Sequence, residues 1–403
     1  MKIITGGCAL ALMLAAFAAH AVNQEIRAVF RPDPSQPSKN VFLNQTPISG
    51  YCASYPDQCV PANMFSIQLP ARFVSARSLR PGDGLALKAP ANWRQLTVIN
   101  ADTQESEIVE VRITGVGTKY VLSHPAYVLA GVSDELEGHR RLWSNMSWVY
   151  APPPCQFSGN APYGPEHYRF FWKTPVEAPC TKYAAFDIPS IEYDTLDFAY
   201  ELRTPNPLGM SSGLYTGSMT YTIGSAGDFD FGPLMRPDDS SLTLDFVLDV
   251  QHTLKVDLPP GGNNVTLEPE GGWARWVESG RKPTRIFRDQ LFYISASSRF
   301  KVMLLCNSYG GNVCKLGNPE GNSTEVLVSM SLPPGITALG APVNRLPLRF
   351  NLWAGPFQPG LYVDRKPGTL HFDMTPFAID FLLRPGASGR LRGNVTIIWD
   401  SDV

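Results

Sequence analysis

Strict alternation of apolar and polar residues is the feature that most limits what this chain can fold into. Its longest run is SLTLDFVLDVQHTLKVDL, Ser241–Leu258, in which every second side chain from Leu242 onward is apolar except at His252. Side chains of a β-strand point alternately to opposite faces, so the pattern predicts a strand with one buried face. The run is far longer than a usual strand of about five or six residues, which indicates that it serves two sheets.

Alternation recurs in shorter segments along the chain. Between Gly213 and Ile223, tyrosine, methionine and isoleucine side chains share one face, while threonine and serine occupy the other. No segment sustains helical periodicity over several turns, and residues 273–277 are expected to form a short helical turn at most. These patterns predict an all-β fold. The other predicted strands cover residues 65–69, 108–113, 120–122, 291–294, 300–306, 326–332, 346–352, 370–374 and 377–383.

The length of the chain favours two domains. At 403 residues it exceeds what one hydrophobic core usually supports, so we expect two β-sandwich domains in tandem. The long alternating run is the expected crossing, with the boundary between Pro237 and Gln251. We therefore expect an N-terminal domain at residues 22–245 and a C-terminal domain at 246–403. His252, on the apolar face of the run, is expected to be a hydrogen-bonded core imidazole.

Residues 1–21 have the pattern of a secretory signal peptide. Lys2 precedes an apolar run from Cys8 to Ala19, which is too short to span a bilayer as an anchor. Ala19-His20-Ala21 is a small-x-small cleavage site, so the mature chain should begin near Val22. Cys8 would leave with the signal peptide, and the protein would be exported.

Six cysteines remain after the expected cleavage. An even number in an exported protein favours disulfide bonds over metal thiolates. Sequence proximity suggests three pairs, although six cysteines allow fifteen connectivities. The suggested pairs are Cys52 with Cys59, Cys155 with Cys180 and Cys306 with Cys314.

Composition and motif spacing argue against several other functions. The formal net charge of -2 leaves no basic stripe for nucleic acid. The histidines lack zinc spacing, and no cofactor or metal is expected. Gly209–Gly213 matches G-x-S-x-G around Ser211, but a catalytic serine there requires a strand before it and a helix after it. Two prolines precede the motif and an alternating strand follows it, so a plain turn is expected and the protein is not expected to be an enzyme.

The end of the sequence is also an alternating strand. In RLRGNVTIIWD, Arg390–Asp400, apolar residues alternate with polar ones until Ile398 interrupts the pattern. A strand so close to the end of the sequence has no later strand to cover its edge. An uncovered amphipathic edge is an aggregation hazard unless it pairs elsewhere, in its own chain or in another.

Two segments of the second domain carry a resemblance to a known family. They are RDQLFYISASSRFKVMLLC, Arg288–Cys306, and GRLRGNVTIIWD, Gly389–Asp400. Together with the signal peptide, the first β domain and the crossing near residue 250, they resemble the two-domain tip adhesins, or minor tip pilins, of chaperone-usher fimbriae. The layout is most similar to the cable-pilus and colonisation-factor type.

The resemblance implies a C-terminal domain with an incomplete immunoglobulin-like pilin fold that lacks its last strand. In such proteins a periplasmic chaperone lends a strand to the open groove, and at the outer-membrane usher the adjacent pilin subunit replaces it. Ordinary core packing is the alternative role for the residues that would line the groove here. Those residues are Leu391, Val395, Ile397 and Trp399.

A receptor site, if the first domain is an adhesin, would use aromatic faces and polar groups to hold a glycan or a host protein. The densest aromatic and basic stretch is His139–Trp172, in which Trp148, Phe170 and Trp172 are expected to be core residues. A second candidate is the loop around the small Cys52–Cys59 ring. The expected ligand-binding residues are Arg140, Arg141, Tyr163, Arg169, Tyr51 and Tyr55.

The sequence therefore predicts a fimbrial tip adhesin at the cell surface that is assembled by donor-strand complementation. Its partners would be the chaperone, the usher, the adjacent pilin and a host surface receptor, with no nucleic acid. Two alternatives stay open. One is an assembly-initiating minor pilin without a receptor, and the other is a secreted β-sandwich hydrolase that uses Ser211 or a carboxylate pair.

Overall fold

The structure, a computed structural model, describes residues 21–144, 146–385 and 390–401. Strands account for 47% of the chain and helices for 11%, which confirms the predicted all-β class. The proposed signal peptide, with Cys8, lies outside the described residues except for Ala21, so its prediction stays a prediction. Among the described residues, no helix is both long and apolar enough to cross a membrane.

The first part of the described chain contains fifteen strands, four short helices and two 3-10 turns, at Val60–Ala62 and Pro207–Gly209. The strands are β1 Ala21–Phe30, β2 Leu43–Asn44, β3 Ser66–Leu69, β4 Phe73–Ser75, β5 Gly84–Leu87, β6 Arg94–Asn100, β7 Ser106–Leu122, β8 Gln156–Phe157, β9 His167–Lys173, β10 Cys180–Tyr183, β11 Ile191–Tyr193, β12 Leu196–Arg203, β13 Gly213–Thr222, β14 Met235–Pro237 and β15 Ser241–Val250. The helices are α1 Tyr51–Ser54, α2 Pro56–Cys59, α3 Ala126–Leu129 and α4 Glu135–Arg141.

Thirteen of these strands form one sheet around a large hydrophobic core. Its main path runs β14-β4-β11-β7-β6-β13-β15-β1-β2, and β5 pairs with β10 separately. β7 joins two segments that were predicted as separate strands, and it pairs with β6, β9, β11 and β12. Gly115 and Gly117 lie between the two segments. A Cβ at Gly117 would come within 2.3 Å of the Phe170 carbonyl oxygen, so only glycine allows β9 to pair so closely there.

β15 confirms the first half of the long alternating run. It pairs over ten residues with β1, in parallel, and over ten with β13, in antiparallel orientation. Its alternate side chains from Leu242 to Val250 point into the core and are at most 1% exposed, whereas Val247 lies on the other face. Full burial of side chains of this size stabilises a fold by about 1.5–3 kcal/mol each.

The run does not continue as a single strand, contrary to the prediction. It breaks at residues 251–253, and the polypeptide enters a different sheet at Leu254. His252 lies in this break, where its Nδ1 contacts Ser297 Oγ at 3.0 Å and its Nε2 contacts the Met210 carbonyl at 2.8 Å. These bonds hold the imidazole between Met210 in the first part of the chain and Ser297 in the second, which a continuous strand would not allow.

The second part of the described chain contains thirteen strands and two helices. The strands are β16 Leu254–Asp257, β17 Glu268–Pro269, β18 Ile286–Ala296, β19 Phe300–Cys306, β20 Tyr309–Gly310, β21 Val313–Gly317, β22 Ser323–Ser331, β23 Ile336–Ala338, β24 Ala341–Pro342, β25 Leu346–Leu348, β26 Trp353–Pro359, β27 Val363–Asp373 and β28 Val395–Ser401. The helices are α5 Gly272–Ser279 and α6 Pro376–Leu382.

Two sheets enclose a second, separate core in this part. The eight-stranded sheet runs β16-β18-β27-β22-β21-β20, with β17 beside β18 and β25 beside β22. The five-stranded sheet runs β24-β23-β26-β19-β28. Side chains from both sheets, such as Phe292 of β18 and Phe300 of β19, meet in one core, which gives the expected sandwich.

Two sequence predictions of local structure were wrong. Residues 377–383 were expected to form a strand, but most of them belong to α6. Thr375 Oγ1 accepts a hydrogen bond from the Ala378 N–H at 3.1 Å, and Pro376 occupies the first turn. α4 was not predicted, although Asp134 Oδ1 caps it by accepting from the Glu137 N–H at 2.8 Å. In both cases the sequence pattern of a short segment is ambiguous, and a hydrogen bond at its N-terminal cap favours the helix.

The three predicted disulfide bonds are confirmed. Cys52 pairs with Cys59 across α1 and α2, and Cys155 pairs with Cys180 of β10. Cys306 at the end of β19 pairs with Cys314 of β21. Each bond is local in sequence, so the disulfides fix loops and strand ends, and the two large cores hold the fold together.

Candidate functional site

β28 is an edge strand of the five-stranded sheet. It pairs with β19 from Val395 to Ser401, and no other described strand is hydrogen-bonded to it. The expected uncovered edge at the end of the sequence is therefore present. Val395, Ile397 and Trp399 point toward the second core, yet all three remain only partly buried.

A second apolar edge faces β28 from the eight-stranded sheet. β16 and the segment that follows it contribute partly buried side chains that pack against the same core: Leu254, Val256, Val265 and Leu267. Trp399 reaches Phe292 of the opposite sheet with ring centroids 5.1 Å apart. Cα atoms of β16 and β28 approach within 8 Å of each other, and we call the apolar line along these two edges the open groove.

Leu391 was predicted to line the groove, and the structure places it elsewhere. It precedes β28 and is absent from the described residues that pack against the second core. Its neighbour Arg392 forms a bridge with Gly317 of β21, so the chain there joins the other sheet. Whether the remaining three predicted residues accept a donor strand stays a prediction.

A cavity of about 360 Å³ lies in the first part of the chain, beside α4. It brings together two of the predicted ligand-binding residues, Arg140 and Tyr163. Its lining contains one cation and several aromatic rings, and no carboxylate among the described residues. The remaining lining residues are Leu136, Met146, Ser147, Val149, Tyr150, Asn160, Ala161 and Tyr168.

Buried hydrogen bonds fix the wall of the cavity. His139, on α4 beside Arg140, is fully buried, and its Nε2 donates to the Gly164 carbonyl at 2.8 Å. Its Nδ1 accepts from Tyr120 Oη at 2.6 Å. Gly164 adjoins Tyr163, whose ring stacks on that of Tyr168 with centroids 5.3 Å apart. The imidazole therefore sets the position of Arg140 relative to Tyr163.

Lys182 fixes the backbone of a second wall of the cavity. Its Nζ donates to the carbonyl oxygens of Met146 and Ser147, each at 3.2 Å. Burial of this ammonium lowers the pKa of Lys182 to about 8. The side chain fixes the backbone that leads to Tyr150, whose ring is stacked on Phe157 with centroids 5.5 Å apart.

Arg141 and Arg169, also predicted to bind ligand, do not line the cavity. Arg141 is exposed and its Nε donates to Glu137 Oε1 at 2.7 Å. Arg169 is only 17% exposed and forms an ion pair with Asp197, which is 1% exposed. Burial raises the pKa of Asp197 and the Arg169 charge opposes this rise. The Arg169–Asp197 ion pair therefore stabilises the interior of the first part of the chain.

The tyrosines of the Cys52–Cys59 loop are also placed inside. Tyr51 is fully buried and stacks on Phe171 with centroids 4.8 Å apart, so its ring cannot contact a ligand on the surface. Tyr55 packs partly buried beside it. The loop touches the cavity only indirectly, since Gln58 Nε2 donates to the Asn160 carbonyl at 2.7 Å.

Three cavity residues were missed by the sequence reasoning: Tyr150, Asn160 and Tyr168. They lie within the aromatic stretch that the sequence singled out, but the fold alone shows that Tyr150 and Tyr163 point into one space. The expected core roles of Trp148, Phe170 and Trp172 are confirmed, since each is at most 1% exposed.

Two serines, Ser211 and Ser331, have surroundings that bear on nucleophilic chemistry. Ser211 lies between a 3-10 turn and β13, so the strand-turn-helix context of a nucleophile elbow is absent there. Ser331 Oγ lies 2.8 Å from His371 Nε2, and His371 Nδ1 lies 2.7 Å from Asp289 Oδ1. The Ser331 hydroxyl also accepts from the Arg345 N–H at 2.9 Å. These contacts therefore hold the loop at Arg345 against the sheet.

Acid is expected to loosen the cavity wall through His139. Burial lowers the pKa of His139 below its ordinary value of about 6.5. The unfolded chain therefore binds a proton first as the pH falls through 6.5, and the free energy of unfolding decreases from there downward. Urea denaturation at a series of values from about pH 7.5 to about pH 5 should show this decrease.

The matched variants are His139→Gln and His124→Gln. The first removes the titrating group from the buried site and is expected to flatten the pH dependence of the unfolding free energy. His124 is exposed, so its replacement should leave the slope unchanged. An unchanged slope in His139→Gln would contradict the assignment of the pH dependence to this imidazole.

Comparison with known proteins gives only distant likenesses. No family model matches the chain, and no curated protein matches it. Among solved structures, CfaE, the adhesive subunit of CFA/I fimbria of enterotoxigenic Escherichia coli, is 10% identical over 95% of this chain and 94% of its own, with a TM-score of 0.29. A chaperone-tip adhesin complex of CFA/I fimbriae biogenesis is 11% identical over 95% and 97%, with a TM-score of 0.26.

A third solved structure belongs to another pilus. The CsuC-CsuE chaperone-tip adhesion subunit pre-assembly complex, from the archaic chaperone-usher Csu pili of Acinetobacter baumannii, is 8% identical over 94% of this chain and 98% of its own, with a TM-score of 0.23. At such low identities and TM-scores, the likeness carries no conclusion about function.

Proposed function

We propose that the chain is an exported tip adhesin of a chaperone-usher fimbria, completed by a strand from a partner. The observation that carries this proposal is the open groove: Val395, Ile397 and Trp399 face the second core and stay partly buried beside an edge of β28 to which no further described strand is hydrogen-bonded. A strand that pairs with β28 and parts it from β16 would cover both apolar edges. It would also pair the free backbone groups of β28.

The two parts would have separate tasks. We propose a division at residues 251–253, at the upper end of the range that the sequence indicated, because a boundary at residue 245 would cut β15. The N-terminal part, from about Val22, would carry the receptor site. The C-terminal part would be the pilin domain, which takes a strand first from a periplasmic chaperone and then, at the outer-membrane usher, from the adjacent pilin.

The receptor site would be the cavity beside α4. Tyr150 and Tyr163 are each 42% exposed, so their rings can lie against the apolar face of a sugar. Arg140 and the Asn160 amide supply polar groups at its rim. A glycan of the host surface is therefore the proposed ligand class. The alternative of an assembly-initiating pilin without a receptor would leave this cavity unused.

The test of assembly is expression of the full chain with and without its periplasmic chaperone. We expect soluble protein to accumulate only with the chaperone, and a synthetic peptide with alternating apolar residues to replace it and to raise the melting temperature. A monomeric chain that is stable and soluble without chaperone or peptide, and that does not respond to the peptide, would rule the proposal out.

Ligand binding by the cavity predicts a specific loss in the Tyr163→Ala variant. Stacking on an aromatic ring contributes about 0.5–1.5 kcal/mol, so binding to the glycan that the wild type selects on an array should weaken about 2- to 10-fold. Arg140→Ala should weaken it as well, whereas Arg141→Ala, on the next residue of α4 but outside the cavity, should not. Equal binding by all three variants would place the receptor site elsewhere.

A further inference from the structure

Helix α5 presents an apolar stripe that nothing in the described chain covers. Trp273, Trp276 and Val277 lie at positions i, i+3 and i+4, which places them on one face of the helix. Trp273 is 41% exposed and Val277 is 80% exposed, and no residue of the helix is buried. Amphipathic helices normally place such a face against a core. We call these three residues the α5 stripe.

A second apolar projection lies on α6. Phe377 is 81% exposed, although its neighbours Ala378 and Ile379 are buried in a small core. The segment after α5 is joined to α6 by Lys282, whose Nζ donates to Asp380 Oδ1 at 2.5 Å. Asp380 and Phe377 are three residues apart and so share one face of α6. The ion pair therefore holds α6 beside the segment that follows the stripe.

Both helices are found at one end of the open groove. β17 directly precedes α5 and pairs with Ile286 and Phe287, the first residues of β18. Leu267, the last residue of the second edge, packs against the second core and also against the small core that contains part of α6. Leu316, next to the Gly317–Arg392 bridge before β28, does the same. The apolar line of the groove thus continues toward α5 and α6.

We infer that the α5 stripe and Phe377 are a docking surface for the body of the periplasmic chaperone that inserts a strand into the open groove. This inference rests on the proposed function. The groove and the two helices form one continuous apolar surface. A partner whose strand leaves the groove at this end must therefore pass over the helices. Large exposed apolar patches on soluble proteins mark such contacts.

The charges around the surface specify the partner's chemistry. The exposed cationic side chains of Arg275, Arg281 and Arg384 border the apolar residues, and the exposed Arg390 and Arg392 precede β28. Glu278 is an exposed acid on α5 itself. Glu270 and Asp380 are further exposed acids beside the helices, so the complementary surface is an apolar contact patch with charges of both signs around it, next to the donor strand. A donor peptide limited to the groove would not reach the helices.

The experiment measures the affinity of the full chain for its purified periplasmic chaperone and, separately, for a donor peptide of groove length. The test variants are Trp273→Ser/Val277→Ser together, and Phe377→Ser. We expect each to weaken chaperone binding by about tenfold or more, since the double variant removes two apolar side chains from the interface and Phe377→Ser removes one large one. Binding of the short peptide should not change, and melting temperatures should stay close to wild type because these side chains are exposed.

The matched control is Leu339→Ser, which removes an almost fully exposed apolar side chain on another loop of the same part. It should bind both probes as the wild type does. Unchanged chaperone affinity in the helix variants, with peptide binding intact, would overturn the inference and leave the proposed function standing. If the wild type binds neither the chaperone nor the peptide, the proposed function fails together with the inference.

Discussion

Replacing Ile397 with aspartate is expected to weaken the complex with a strand-donating partner by at least about 100-fold. Ile397 pairs with Leu304 in the middle of β28 and points into the open groove. Once a donor strand covers it, an aspartate there would be a buried charge without a partner, at a cost of several kcal/mol. Each 1.4 kcal/mol is tenfold in affinity, so about 3 kcal/mol gives the expected loss. Titration calorimetry with a donor peptide measures it directly.

The control lies on the same strand. Thr396 is the preceding residue and is exposed, so Thr396→Asp places the same charge on the outer face and should leave affinity unchanged. Because aspartate at position 397 also disturbs the second core, the milder Ile397→Ala serves as a second variant, with an intermediate loss. Equal peptide affinity in Ile397→Asp and Thr396→Asp would show that no strand enters beside β28.

Removing Arg169 is expected to cost about 3–5 kcal/mol of unfolding free energy. The Asp197 carboxylate is 1% exposed, and Arg169→Met would leave it buried without its cation. Gln68 Nε2, which donates to Asp197 Oδ1 at 2.9 Å, is a neutral donor and cannot replace the charge. Urea denaturation of the two proteins at pH 7 measures the difference. Arg141→Met, which breaks an exposed pair, should cost about 1 kcal/mol or less.

The same variant should change its stability with pH in a defined direction. Burial already raises the pKa of Asp197, and without the opposing charge of Arg169 it would rise further. A carboxyl whose pKa is higher in the folded state than in the unfolded state loses stability as the pH rises. The deficit of Arg169→Met should therefore be smaller in acid than at neutral pH. The double variant Arg169→Met/Asp197→Leu should recover most of the loss, and a failure to recover would assign it to lost packing of the arginine.

The strands were predictable because alternation in the sequence directly records which face of a sheet is buried. β13, β15 and β28 were all found where apolar residues alternate with polar ones. The same reasoning failed at residues 377–383, where a run that is apolar except at Asp380 fits a strand and a short helix equally well. There the Thr375 cap decides, since its hydroxyl satisfies a backbone N–H that a strand would have paired with a neighbour.

The candidate sites were less predictable because they depend on contacts between distant residues. Nothing in the sequence distinguishes Arg169 and Asp197 from the other charged residues. Only the fold shows that Asp197 is buried. Tyrosine is a residue type that binding sites often use, yet the ring of Tyr51 is covered by that of Phe171. Arg140 and Tyr163 were found together because both belong to segments that the buried His139 joins.

The position of β15 also determines how the molecule would carry load. β1 lies along one side of it and β13 along the other, each over ten residues, and its last residue adjoins the crossing to the second part. Tension between a bound surface and a pilus would pull β15 lengthwise. The hydrogen bonds on both sides would then be sheared together and would not open one at a time. Such a geometry resists rupture, so the crossing at residues 251–253 would yield under flow before the first sheet does.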